Sequence, residues 1–222
     1  MAVLGVDGCP GGWVAARVEG DELAWHVGSF VELLRVEAAV VGVDIPIGLP
    51  AGAERRAADV EAREALGGQR SSVFFAPPRA ALEAASQREA SALSRAAGST
   101  GVSIQLFHVL AKVAEVDAAL QRDEHAARRV VEVHPEVSLR RLGEVDVLPP
   151  KRTVAGRVAR LTVLRRWLPG LALPQRLPGR AKPDDCLDAV AAAWSADRWA
   201  RGHADVLGGD PDSTGLPMRI VV

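Results

Sequence analysis

The chain has 222 residues and a mass of 23.4 kDa, enough for one well-buried domain with an insertion, and its net charge of −1 with 25% charged residues excludes a strongly charged disordered tail protein. Hydrophobic residues reach 48%, a fraction inflated by 38 alanines, while aromatics are 4% and tyrosine is absent. No apolar run approaches the roughly 18 residues of a membrane-spanning helix, and Met1-Ala-Val-Leu-Gly-Val-Asp7 has no basic region before an apolar stretch, so a cytoplasmic protein is expected.

In chain order, Val3–Asp7 is a short apolar strand stopped by the turn formers Gly8-Cys-Pro-Gly-Gly12. Trp13–Val18 resumes an extended pattern, Gly20-Asp21 is a two-residue hairpin signal, and Leu23–Val27 returns. Phe30–Ala39 carries apolar residues at helical spacing, and Val40–Asp44 is a second buried strand closed by Pro46 and Pro50. A helix between them allows the fourth strand to lie parallel to the first. Glu54–Gly67 is an alanine-rich helix, Arg70–Pro78 a loop or short strand, and Ala80–Thr100 a weakly patterned helix. Ser103–Leu120 is an amphipathic helix with Ile104, Phe107, Leu110 or Ala111, Ala114 and Ala118 predicted on one side. Arg129–Val133 reads as a strand stopped at His134-Pro135, followed by a proline-rich loop. A basic helix spans about Arg152–Trp167, Leu168–Pro183 is irregular, and Asp184–Arg201 is the last helix, with Asp184 or its neighbour as cap. The expectation is a single α/β domain over 1–222, with a helical insertion at about 50–125.

Two strands end alike, Gly5-Val6-Asp7 and Gly42-Val43-Asp44. Residues two apart on a strand share a face, so each aspartate has a glycine beside it. If the strands are parallel neighbours, two carboxylates meet at the C-terminal edge above a hollow left by the missing side chains, where open α/β sheets bind ligands. A divalent cation is the usual reason to keep two such charges ionised. Glu132 interrupts Val130, Val131 and Val133, which places it either at a sheet edge or in a polar site. In Asp184-Asp185-Cys186-Leu187-Asp188 the first acids suit a helix N-terminus, but Asp188 lies one turn further in, ahead of Ala189-Val190-Ala191. Cys9 and Cys186 read as small packing residues; two cysteines make neither a disulfide framework nor a four-ligand zinc site.

Charge is uneven along the chain. Between Asp146 and Asp184 there is no acid, yet there are nine basic residues: Lys151, Arg152, Arg157, Arg160, Arg165, Arg166, Arg176, Arg180 and Lys182. Such a flank fits either a polyanion partner or a solvated face balanced from elsewhere. Arginine outnumbers lysine 24 to 3, a chain-wide bias and not in itself a phosphate signature. Lys151, Arg152, Arg157 and the loop residue His134 are the candidate substrate contacts.

Three meander strands, a helix, a parallel strand and a late acidic helix resemble the RNase H-like fold. GVDGCPGGWVAA, VDIPIGLP, AREALGGQRSSVFFAPPR, VEVHPEVS and DDCLDAVAAAWSA are similar to an uncharacterised bacterial and archaeal family of predicted RNase H-like nucleases. The resemblance runs from about Val3 to Val222. It implies a mixed sheet flanked by helices and a metal-dependent phosphodiesterase site using Asp7, Asp44, Asp185 or Asp188, and Glu132. It further implies two Mg²⁺ or Mn²⁺ ions held by carboxylates, with nucleic acid as the substrate. Two other readings stand beside it. Asp7-Gly8 with its nearby glycines also resembles the first phosphate loop of sugar-kinase or actin-like ATPases, and a non-catalytic binding module would keep the acids as structural remnants. The sequence leaves the oligomeric state open, a homodimer included.

Overall fold

The computed structural model describes residues 1–222, which form an α/β protein whose elements fall into two compact units. Unit 1 comprises 1–44, 129–205 and 221–222; unit 2 comprises 45–128 and 206–220.

Unit 1 is built on a five-stranded mixed sheet. Strands β1 (Val3–Cys9), β2 (Gly12–Glu19) and β3 (Glu22–Gly28) form an antiparallel meander. The Gly20-Asp21 hairpin is present as the sequence predicts, with Gly20 at φ +60°. Strands β4 (Val40–Val43) and β5 (Val130–Glu132) add on parallel to β1, giving the order β3-β2-β1-β4-β5. The helix expected over Phe30–Ala39 is a single turn, α1 (Phe30–Leu33), held by a capping box between Ser29 and Glu32. Beyond it the Arg35 and Val36 N–H groups donate to the Glu32 and Leu33 carbonyls in a tighter turn, and the Arg129 guanidinium donates to the carbonyls of Leu34 and Ala38. Phe30 packs on the fully buried Trp13, ring centroids 5.7 Å apart.

The other face of the sheet carries α8 (Pro183–Ala200), which packs against β1, β2 and β4. Every residue from Cys186 to Asp197 is buried, because α6 (Pro135–Gly143) and α7 (Val154–Leu164) also pack against it. An alanine-rich sequence is what permits this: Ala189, Ala192, Ala193 and Ala196 let backbone approach backbone on several sides. Helix α6 lies where a proline-rich loop was expected. Pro135 occupies its first turn, where a missing N–H is harmless, and Glu144 ends it in the left-handed conformation at φ +52°.

Unit 2 contains α2 (Ala57–Leu66), a 3₁₀ segment at 67–72, another at 79–83, α3 (Gln87–Ala96) and α4 (Ile104–Arg122). The short helix α5 (Glu124–Arg129) completes the helical set. Ala81, Ala90, Val102, Leu106 and Leu110 form a small core. The buried face of α4 is Leu106, Leu110, Val113, Val116 and Leu120, so the predicted face is rotated, and Ile104 is 56% exposed. Strands β6 (Val206–Pro211) and β7 (Pro217–Val221) form a hairpin that the sequence reading missed; β6 packs on α2. No helix is long and apolar enough to cross a membrane.

Candidate functional site

Strands β1 and β4 carry their terminal aspartates to one edge. The register Gly5↔Gly42 and Val6↔Val43 puts Asp7 and Asp44 in the next row, on the face that α8 covers, and the Asp44 N–H still donates to the Val6 carbonyl at 3.0 Å. The glycines do not leave a hollow, as the sequence predicted. A Cβ on Gly5 would fall 2.0 Å from the Ala189 carbonyl oxygen, and one on Gly42 would fall 2.5 Å from that of Ala192. The α8 backbone fills the gap, and this close approach brings Asp188 to the strand ends.

Asp188 is 1% exposed. Its Oδ2 accepts a hydrogen bond from Lys151 Nζ at 2.6 Å, while its buried Oδ1 has no hydrogen-bond partner. Lys151 sits in the turn before α7. Thr153 caps that helix, accepting from Gly156 N–H at 2.9 Å, and Thr153 Oγ1 donates to the Pro150 carbonyl at 2.8 Å. Arg160 braces the turn from beneath. Its Nη1 donates to the Pro149 carbonyl at 2.7 Å and its Nη2 to Glu136 Oε1 at 2.5 Å.

The electrostatics follow from this crowding. Burial, then Asp188 and Asp44, hold the Asp7 carboxyl well above the usual carboxylate range, against the pull of Lys151. Asp44 is raised by burial, while His134 and Lys151 pull it back and Glu136 pushes it further up. Asp188 is pushed up to about 7, by burial first, with Lys151 opposing and Asp44 and Glu136 adding to the rise. Burial works against the Lys151 ammonium, yet Asp188, Asp44 and Asp7 outweigh it and keep that group protonated. Asp7, Asp44, Asp188 and Lys151 therefore titrate as one group of interacting charges.

Other sequence-predicted residues stand differently. Asp185 uses Oδ2 to accept the Lys182 N–H at 2.8 Å, which caps its own helix, although its charge still raises Asp7. Glu132 pairs with Val43, one row back from Asp44, so it projects from the opposite sheet face and does not join the cluster. His134 begins α6 beside Asp44. Arg152 is exposed, and Arg157 Nη1 donates to the Arg152 carbonyl at 3.3 Å; neither touches the three aspartates. The Cys186 thiol is pushed up to about 12 by burial, then by Asp185 and Asp7, in keeping with a packing role. The pair Glu136–Arg160 was missed. Its signal was an arginine on the same helix face as Gly156, Val163 and Leu164, the buried side of α7.

The donor chemistry at the cluster suits a hard cation, because all three side chains offer carboxylate oxygens and Asp188 Oδ1 is unsatisfied. No three His, Cys, Asp or Glu side chains stand as a ready-made ligand set, and Lys151 holds one side of Asp188. A family model described as "Protein of unknown function (DUF429)" matches residues 5–213. No curated protein and no solved structure matches the chain.

Proposed function

The chain belongs to the DUF429 family, and we propose that it is a metal-dependent nuclease that hydrolyses phosphodiester bonds at Asp7, Asp44 and Asp188. One observation carries this reading: three carboxylates meet where the ends of β1 and β4 face α8, Asp188 and Asp44 raise Asp7, Asp44 raises Asp188, and only Asp188 has a cation partner, Lys151. A fold keeps such a repulsive arrangement where a cation or a developing positive charge is to be held. The meander followed by two parallel strands, with an acidic helix over the sheet, supports an RNase H-like architecture.

Charge arithmetic sets the stoichiometry. Three carboxylates and one ammonium leave two negative charges, which one Mg²⁺ or Mn²⁺ cancels; a second ion requires Lys151 to leave Asp188. Bound there, the ion would supply Lewis acidity towards a phosphoryl oxygen and make water acidic enough to attack phosphorus. The chain's own groups do the rest. Asp7, Asp44 and Asp188 hold the ion through oxygen. The Lys151 side chain, 41% exposed and linked to the cluster through Asp188, turns its ammonium towards a substrate phosphate. Of the nine basic residues from 151 to 182, only Lys151, Arg160 and Arg166 pair with an acid, so six cations remain for a polyanion.

The test is cleavage of labelled single-stranded, duplex and RNA–DNA hybrid oligonucleotides with Mn²⁺, Mg²⁺ or EDTA. Cleavage that needs the metal and falls about a hundredfold or more in Asp7→Asn and Asp188→Asn is the expected result. Undiminished cleavage by Asp7→Asn would overturn it, and stabilisation by ATP without any cleavage would favour the nucleotide-binding reading.

A further inference from the structure

In unit 2, two guanidiniums converge on one aromatic ring. Arg55 Cζ lies 4.1 Å from the centre of the Phe75 ring and Arg63 Cζ lies 4.8 Å from it. Neither forms an ion pair. Glu54, next to Arg55, turns back to accept the N–H groups of Ala51 and Gly52 at 2.7 and 3.0 Å. Arg63 donates to the carbonyls of Arg70 and Val73, which pins the loop Gly67–Ser72 beside the ring. That loop presents the exposed Arg70 and Ser71, and Phe74 next to it is 42% exposed. Two like charges held at one ring repel each other, and cation–π contact at an exposed site offsets that only in part. Arg55 and Arg70, whose guanidiniums make no hydrogen bond within the protein, and the exposed Phe74 ring offer groups for the two parts of a nucleotide, phosphate and base.

We infer that Arg55, Arg63 and Arg70 with Phe74 form a single-stranded nucleic-acid contact site in which guanidiniums hold backbone phosphates and Phe74 stacks a base. This rests on the reading that the substrate is nucleic acid, but it requires neither metal nor hydrolysis. Arg63 also secures the loop, so the variants that report binding are Arg55→Glu, Arg70→Glu and Phe74→Ala, whose side chains make no hydrogen bond within the protein.

The experiment is fluorescence anisotropy of the full chain with labelled (dT)₂₀ and (rU)₂₀ in EDTA, from 50 to 200 mM salt. Wild type binds in EDTA, without the metal that the proposed hydrolysis needs. Arg55→Glu/Arg70→Glu weakens binding at least tenfold and lowers the slope of log K against log salt by about 1.4, or about 0.7 per lost phosphate contact. Phe74→Ala weakens it roughly tenfold through lost stacking. Melting temperatures of the variants within about 2 °C of wild type confirm that the fold is intact. Wild-type affinity and slope in the double charge reversal, or no single-strand binding by wild type at 50 mM salt, would overturn the site. Metal-independent cleavage would overturn the proposed hydrolysis and leave this binding site standing.

Discussion

The Lys151 ammonium, 2.6 Å from Asp188 Oδ2, stabilises an acidic cluster that would otherwise be almost entirely repulsive, and its charge competes with any cation at that carboxylate. Replacing it with methionine therefore leaves Asp188 buried and unpaired. A loss of about 2–4 kcal/mol in EDTA is expected from urea unfolding, together with a larger rise in melting temperature on adding Mn²⁺ than wild type shows. Equal Mn²⁺ shifts in the two proteins would separate Lys151 from the cation site. Asp7 makes the opposite case. Its carboxyl is raised in the fold, by burial first, so the folded state binds the proton more tightly than the unfolded chain. That contribution is present below the unfolded value near 3.8 and is lost as pH rises through the folded value. In EDTA, Asp7→Asn should consequently melt above wild type at pH 8, by roughly 3–8 °C, with the gap shrinking towards pH 5. A gap that is constant with pH would contradict the charge explanation. Asp7, Asp44 and Asp188 could all be found from sequence, the first two by their repeated Gly-Val-Asp strand ends and the third by a carboxylate leading an apolar helical run. Glu132 lies on the edge strand β5, one of the two placements the sequence left open, and by register it faces away from the aspartates: paired with Val43 and not with Asp44, it projects from the other side of the sheet.

Among the elements, the contact of α8 with β1 and β4 decides whether the site exists at all. Gly5 and Gly42 have ordinary extended backbones, so what they provide is space. An added methyl at Gly5 would meet Ala189 O at 2.0 Å and Ala193 N at 2.1 Å, both backbone atoms that cannot turn aside. Gly5→Ala should lower stability by about 3 kcal/mol or more in urea unfolding and, by lifting α8, reduce Mn²⁺ binding in the folded fraction. A neutral Gly5→Ala would mean that the helix sits elsewhere. The sequence showed these glycines but not their partner, because a hollow for a ligand and a seat for a helix look the same in one strand. The same limit hid α6: a proline after a strand reads as a break, although at the first turn of a helix it is favourable. The strands of the meander were legible because their alternation and hairpin turns are local.

Across the whole molecule, a net charge of −1 conceals a basic run from 151 to 182 and an acidic cluster in the same unit. Three of the nine cations are internally paired, and one of those, Arg160, braces the Lys151 turn. The exposed Arg152 and the half-buried Arg157 are available to a polyanion. Arg152→Glu/Arg157→Glu should weaken nucleic-acid binding uniformly across sequences and lower the salt slope by about 1.4 on single strands, measured by anisotropy titration. An unchanged slope would make the run a solvated face. The C-terminal hairpin lay beyond sequence reading because β6 finds its partners in β7 and in α2, more than a hundred residues earlier, and no local pattern records that contact.

Anomalous diffraction from a crystal of the intact chain grown with Mn²⁺ addresses the central claim most directly. A manganese peak within bonding distance of Asp188 Oδ1 and of the Asp7 or Asp44 carboxylate is the predicted outcome, with Lys151 Nζ kept on Asp188 Oδ2 while a single ion is bound. A saturated crystal with manganese bound only elsewhere would contradict it.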